Sequence, residues 1–95
     1  MNETLTVEVT AEDIANGFRG YPADCALALA FARALPGYRD YSVGFEYANV
    51  TDDDGRVVYH LSLDAERFVR AFDDGALVEP TTFVFRRFGS ASVAY

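Results

Sequence analysis

Cys25 and His60 are the only thiol and the only imidazole in the chain. A cysteine nucleophile needs a histidine within hydrogen-bond reach. The sequence predicts Cys25 in the first turn of a helix that covers one face of a sheet, and His60 on the opposite face. We therefore do not expect the two side chains to meet. Two hypotheses for Cys25 remain: a small buried apolar residue, or a thiol made reactive by the helix N-terminus.

Glu8, Glu46 and His60 are predicted to lie together on the solvent-facing side of the sheet. Two carboxylates and an imidazole are a suitable set for metal coordination or proton transfer. The same side chains beside Arg56 and Arg86 are also typical of cross-strand ion pairs. Their spacing matches no metal motif such as HExxH. A ligand site on the sheet face is therefore the alternative to simple ion pairing.

Two acidic clusters stand out in the sequence. The first is Asp52, Asp53 and Asp54 followed by glycine, and Asp-Gly between two alternating runs predicts a hairpin. It lacks the spaced ligands and the distal glutamate of a calcium loop. The second is Asp73 and Asp74 in the last turn of a predicted helix, where acidic side chains oppose the helix dipole. We hypothesise that both clusters contribute to an acidic surface that contacts a basic protein.

Phe18, Arg19 and Tyr21 lie in a glycine-flanked loop before the main predicted helix. Aromatic residues together with arginine are typical of the side chains that dominate binding at protein interfaces. Aromatic side chains of loops also often fold back into the core. The loop lacks the Lys-Ser/Thr ending of a phosphate-binding loop. We therefore treat it as a further candidate for partner binding.

The hydropathy pattern predicts the elements that position these residues. Alternating apolar and polar residues predict four strands, over residues 4–10, 41–50, 56–61 and 81–88. Helical spacing predicts helices over residues 23–35 and 63–74, and Thr10 with Asp13 predicts the capped start of a short helix. The predicted inward-facing sheet residues are Leu5, Val7, Val9, Val43, Phe45, Tyr59, Leu61, Phe83 and Phe85.

This order of elements is β, short helix, α, β, β, α, β. It predicts an α+β fold in which a four-stranded antiparallel sheet carries its helices on one face, and the ferredoxin-like split βαβ arrangement fits it best. We expect residues 1–95 to form a single domain, with residues 89–95 as a flexible tail.

The charge balance limits the classes of partner. The 95 residues carry a net charge of −7, which argues against direct nucleic-acid binding because such binding relies on basic side chains. A single cysteine indicates a reducing cytoplasm, and the N-terminus lacks the basic and apolar segments of a signal peptide. No apolar run approaches the roughly 20 residues of a membrane span. No motif implies a cofactor or an enzyme activity.

The chain contains the segments VEVTAEDI at residues 7–14, CALALA at 25–30, RFVRAFDDG at 67–75, VEP at 78–80 and FVF at 83–85. Together they resemble small uncharacterised proteins of actinobacteria and their phages, over nearly the whole chain. Those proteins place a proline directly after the helix cysteine, where this chain has Ala26, and their hairpin is shorter. The resemblance implies a cytoplasmic bacterial or phage protein and implies no catalytic residue.

Three hypotheses for the function follow. The first is a phage-encoded, non-enzymatic interaction module that modulates a host or defence protein through its acidic surface. The second is a small ligand- or metal-binding protein, or an enzyme, that uses the two glutamates and the histidine of the sheet face. The third is a homodimer with a structural role, which pairs through an edge strand or through apolar side chains of the open sheet face, namely Val58, Val84 and Phe88.

Overall fold

The computed structural model describes residues 4–53 and 55–91, the last four of them as backbone. The elements of this part of the chain are β1 (Thr4–Val9), α1 (Ala11–Asn16), α2 (Ala26–Ala34), β2 (Asp40–Val43), β3 (Tyr47–Asp52), β4 (Gly55–His60), α3 (Leu63–Asp73) and β5 (Thr81–Ala91). The strands form one sheet in which every neighbouring pair is antiparallel. The α+β class predicted from the sequence is therefore confirmed.

The sheet has five strands where the sequence predicted four, because the second predicted strand is divided by a turn. The Gly44 N–H donates to the Tyr47 carbonyl oxygen at 2.9 Å, and the chain reverses there between β2 and β3. The turn changes which side chains face inward. Ala48 and Val50 are buried, whereas Phe45, predicted in the core, is 41 % exposed.

The strand order β1-β5-β4-β3-β2 also differs from the ferredoxin-like prediction. That fold interleaves two β-α-β units, each with a strand inserted between its parallel strands. Here β4 and β5 are antiparallel neighbours joined by α3, and β1 lies at one edge of the sheet. β2 lies at the other edge, and α2 packs against both edge strands, so the sheet curls around this helix.

The sequence correctly predicts β1 and the start of α1. Val7 and Val9 are fully buried. The Thr10 hydroxyl accepts from the Asp13 N–H at 3.2 Å, and the Asp13 carboxylate accepts from the Thr10 N–H at 2.9 Å. These reciprocal hydrogen bonds form a capping box. They fix the point at which the chain leaves the sheet.

An ion pair ties α1 to α2. The two terminal nitrogens of Arg33 donate to the two carboxylate oxygens of Asp13, each at 2.8 Å. Arg33 also donates to the Glu8 carbonyl oxygen. Burial of Asp13 by itself would raise its pKa, but the hydrogen bonds from Arg33 and Thr10 outweigh this effect and lower the pKa of the carboxyl group. The charged form of Asp13 is thus part of the folded structure.

A single core lies between the sheet and the helices. The Phe31 ring of α2 stacks on Phe85 of β5 at a centroid distance of 5.0 Å and lies 5.8 Å from Tyr59 of β4. α2 is shorter at its start than predicted, because Cys25 has an extended conformation and forms the N-cap. The Ser62 hydroxyl accepts from the Ala65 N–H and caps α3.

β5 extends farther than the sequence predicts. Its backbone remains paired with β4 as far as Ala91, which lies opposite Arg56. Residues 89–91 therefore belong to the sheet and not to the predicted tail. The rest of that prediction, for residues 92–95, lies outside the described part of the chain.

Candidate functional site

The loop that follows α1 is closed by its own backbone. The Phe18 N–H donates to the Asp24 carbonyl oxygen at 2.9 Å, and the Asp24 N–H donates to the Tyr21 carbonyl oxygen at 3.0 Å. The start of the loop is fixed by a close approach, since a Cβ atom added at Gly17 would lie 2.6 Å from the Ala26 nitrogen. Only glycine allows the backbone to pass so near the first turn of α2.

The same loop is anchored to the C-terminal end of α3. The Gly20 N–H donates to the Asp73 Oδ1 atom at 2.9 Å. The Arg19 guanidinium lies 5.6 Å from the centroid of the Phe72 ring, within the range of a cation–π contact. The structure therefore brings together the loop and the second acidic cluster, which the sequence could only propose as separate features.

The aromatic side chains of the loop point to solvent and not into the core. Phe18 is 64 % exposed and Tyr21 is 62 % exposed. Their ring centroids are 6.3 Å apart. Phe45, in the turn between β2 and β3, adds a third exposed ring. We call Phe18, Tyr21 and Phe45 the aromatic rim.

A cleft of about 300 Å³ lies between the loop, the turn after β2 and the end of α3. Its wall is mainly apolar, and Asp73 is the charged residue among those that line it. The lining residues are Gly20, Tyr21, Pro22, Cys25, Val43, Gly44, Phe45 and Asp73. The cleft thus joins two of the three rings of the aromatic rim to one carboxylate.

Phe45 is the residue of this site that the sequence analysis missed. Its alternating position predicted a core side chain, but the turn at Gly44 places it at the surface. There the Arg70 guanidinium lies 4.1 Å from the ring centroid. The Arg70 Nε atom also donates to the Glu66 carboxylate at 3.0 Å. The glycine within the alternating segment was the one signal that could have indicated the turn.

Cys25 closes the inner end of the cleft and is 3 % exposed. Burial raises the pKa of its thiol, and the nearby Asp73 charge raises it further, while backbone hydrogen bonds at the helix N-terminus oppose both effects. The thiol is therefore protonated near neutral pH, and a protonated thiol is a poor nucleophile. Of the two hypotheses for Cys25, the geometry favours a buried apolar residue.

Of the three residues of the predicted sheet-face site, Glu8 lies apart from the other two. Glu8 of β1 lies opposite Thr82 and His60 of β4 lies opposite Arg86, so the two are offset by four residues, or roughly 13 Å, along β5 and also lie on either side of that strand. Glu46 lies in the turn before β3, and its carbonyl oxygen accepts from the Leu61 N–H.

His60 packs against the Tyr47 ring, with centroids 5.3 Å apart, on the face opposite the core that holds Cys25. Within residues 4–53 and 55–91, no group of three histidine, cysteine, aspartate or glutamate side chains has a geometry that could hold a metal ion.

The first acidic cluster lies at the far end of the sheet from the cleft. Asp52 ends β3, five residues or roughly 17 Å from Tyr47 at the cleft end of the same strand. Asp53 forms an ion pair with Arg39, and Asp54 lies outside the described residues. The two acidic clusters therefore do not form one continuous surface across the described part of the chain. Asp73 and Asp74 are the acidic pair that accompanies the aromatic rim.

A scan against models of known protein families and searches of curated proteins and of solved structures find no match to this chain. Among the described residues, no helix has both the length and the apolar character that crossing a membrane requires.

Proposed function

We propose that this chain is a non-enzymatic protein-interaction module that binds its partner through the aromatic rim and the cleft behind it. The observation that supports this most directly is the exposure of Phe18, Tyr21 and Phe45 at 64, 62 and 41 % in one region of the surface. Exposed aromatic side chains grouped around a concave surface are typical of interaction sites.

The way the rim is held also favours binding. The loop is closed by two backbone hydrogen bonds and tied to α3 by the hydrogen bond from Gly20 to Asp73. The rings are therefore presented from an ordered segment. A surface that is ordered before binding loses less conformational entropy when the partner docks.

We further propose that the partner is a basic protein. The net charge of −7 and the pair Asp73 and Asp74 beside the rim favour a positively charged surface, which would also accelerate association. The resemblance to proteins of actinobacteria and their phages leads us to propose a host or defence protein as the target. The Asp52–Asp53 tip is less well placed, because Asp53 already pairs with Arg39.

The test is affinity capture from a lysate of the organism that encodes the chain, or of its host, with three matched baits. The wild type is compared with the double variant Phe18→Ala/Tyr21→Ala and with Leu63→Ala. Leu63 is an exposed apolar residue at the other end of α3 from Asp73, about 15 Å along the helix. We expect one stoichiometric partner with the wild type and with Leu63→Ala, and its loss with the double variant. Equal capture by all three baits would contradict the proposal.

A homodimer through the open sheet face is the second candidate function. Val84 is 59 % exposed there and lies opposite Thr6 on the edge strand β1, on a sheet surface that none of the described helices covers. Sheet faces of this kind pack against each other in many assemblies. Sedimentation of the wild type and of Val84→Arg distinguishes the two candidates. A dimer that the arginine converts to a monomer would support the homodimer, and a wild-type monomer at micromolar concentration would exclude it.

The ligand- or metal-binding alternative has the weakest geometric support. It requires Glu8, Glu46 and His60 to act together, but Glu8 and His60 are offset by roughly 13 Å in the strand direction and lie on strands separated by β5. A thermal-shift panel of metal ions and metabolites tests it directly, because a ligand that binds the folded state raises the melting temperature.

A further inference from the structure

We propose that the cleft binds an arginine side chain of the partner, held between the ring of Tyr21 and the carboxylate of Asp73. This inference rests on the proposed function and specifies the chemistry of its central contact. It is drawn from the composition of the cleft, where apolar walls and aromatic rings surround a single carboxylate.

The carboxylate has capacity for a further hydrogen bond. Asp73 Oδ1 accepts from the Gly20 N–H. The second oxygen, Oδ2, has no hydrogen-bond donor within residues 4–53 and 55–91. A guanidinium group is planar and carries several N–H donors, so it forms strong charge-assisted hydrogen bonds with a carboxylate.

The rings supply the second half of the site. A guanidinium group stacks favourably on an aromatic face. The molecule already contains two such contacts at this end, Arg70 over Phe45 and Arg19 over Phe72. Tyr21 lines the same cleft and is 62 % exposed. It therefore offers an accessible aromatic surface beside the carboxylate.

The charges around the cleft favour a cation. Three exposed carboxylates are each adjacent in sequence to a lining residue, namely Asp24, Glu46 and Asp74. Together with Asp73 they make four carboxylates near the cleft, against two arginines, Arg19 and Arg70. Arg70 is paired with Glu66 at 3.0 Å, which offsets its repulsion of an incoming guanidinium.

The size of the cleft also fits a single side chain. At about 300 Å³ it lies at the lower limit of the volumes found for small-molecule sites. Its walls are suited to the methylene groups of an arginine, whose stem is apolar while its head is charged.

The probe is the blocked peptide acetyl-Gly-Arg-Gly-amide, titrated into ¹⁵N-labelled protein and followed by NMR. Its matched control is acetyl-Gly-Glu-Gly-amide. We expect saturable shifts of the Gly20, Gly44 and Phe45 amide signals with the arginine peptide and none with the glutamate peptide. An increase in salt from 20 to 200 mM should weaken the binding, because the contact is between opposite charges near the surface.

The diagnostic variant is Asp73→Asn, which keeps an acceptor for the Gly20 N–H and removes the negative charge. We expect it to weaken binding of the arginine peptide by about tenfold, the loss of one charge-assisted hydrogen bond. Asp53→Asn, at the opposite end of the sheet, serves as the control and should bind like the wild type.

Three results would overturn the assignment: no saturable shifts with the arginine peptide, equal shifts with the glutamate peptide, or unchanged affinity in Asp73→Asn. Each of them leaves the capture experiment with Phe18→Ala/Tyr21→Ala unaffected. Failure of the arginine assignment is thus distinguishable from failure of the interaction surface itself.

Discussion

The Gly20 N–H and the Asp73 carboxylate, 53 residues apart in sequence, are joined by a hydrogen bond of 2.9 Å. This bond connects a loop that lies between two helices to the end of a third helix. It also explains why an acidic residue is tolerated at position 73, in the last turn of α3, where the helix dipole disfavours it. Asp73 accepts a backbone hydrogen bond there, and it lines the cleft.

Removal of that bond should release the loop. We expect Asp73→Ala to lower the free energy of unfolding by about 1 kcal/mol, which is the typical contribution of one hydrogen bond. The amide of Gly20 should then exchange with solvent much faster than in the wild type. Asp73→Asn keeps an acceptor oxygen, so the Gly20 amide in that variant should exchange at the wild-type rate. Equal protection of Gly20 in Asp73→Ala would show that the bond does not hold the loop.

A methyl group at Gly17 should be poorly tolerated. The added Cβ atom would lie 2.6 Å from the backbone nitrogen of Ala26, and a backbone atom cannot move aside as the end of a side chain can. We expect Gly17→Ala to cost about 1–3 kcal/mol, the usual cost of overpacking. Urea denaturation measures this.

Gly44→Ala is the matched control for that experiment. Its Cβ atom would have only an ordinary contact, at 3.5 Å from the Tyr47 oxygen. A Gly17→Ala variant as stable as Gly44→Ala would contradict the packing of α1 against the start of α2.

The Asp13–Arg33 pair should contribute to stability in a pH-dependent way. The pKa of Asp13 is lower in the folded protein than its ordinary value of 3.8. The stabilisation that Asp13 gives the folded state is therefore complete above the ordinary pKa, and it is lost as the pH falls through the lower pKa of the folded protein. We expect Asp13→Ala to cost about 1–3 kcal/mol at pH 7, because a buried partner of a charged hydrogen bond is removed.

The control is Glu12→Ala, in the same turn but exposed. Denaturation curves measured at pH 7 and pH 3 give the free energy of unfolding of each protein. The difference between Asp13→Ala and the wild type should be smaller at pH 3 than at pH 7. A difference that stays constant would mean that the charge of Asp13 makes no contribution.

Cys25 should react slowly with thiol reagents. Burial raises the pKa of its thiol and restricts access to it. We expect labelling by iodoacetamide at pH 8 to be at least tenfold slower in the native protein than in urea. Native labelling as fast as in the denatured chain would contradict the buried assignment and would support a reactive thiol.

Local patterns in the sequence were sufficient for the elements whose signals lie within a few residues of each other. The alternation around Val7 and Val9 predicted β1, and the spacing between Thr10 and Asp13 predicted the capping box. The helical spacing predicted α3, whose apolar side chains are buried, including Phe68 and Phe72. In each case the residues that stabilise the helix or strand lie within it or directly beside it in the sequence.

The predictions that were wrong concern features that depend on contacts between residues far apart in sequence. Alternation continues from Tyr41 through Tyr47, so the pattern did not show that the chain reverses at Gly44. At the surface, Phe45 contacts Arg70, which is 25 residues away in sequence. No local pattern encodes that contact. The cleft was missed for the same reason, because its walls come from three separate segments.

Chemical-shift mapping of the ¹⁵N-labelled chain, with the partner that affinity capture identifies, tests most directly whether the aromatic rim and the cleft form the binding surface. We expect the largest shifts to fall on residues 18–22 and 44–46 and on Asp73. We also expect Tyr21→Ala to weaken the complex at least tenfold and Leu63→Ala to leave its affinity unchanged. Shifts confined to the β3–β4 hairpin or to the open sheet face, with full affinity in Tyr21→Ala, would contradict the proposed binding surface.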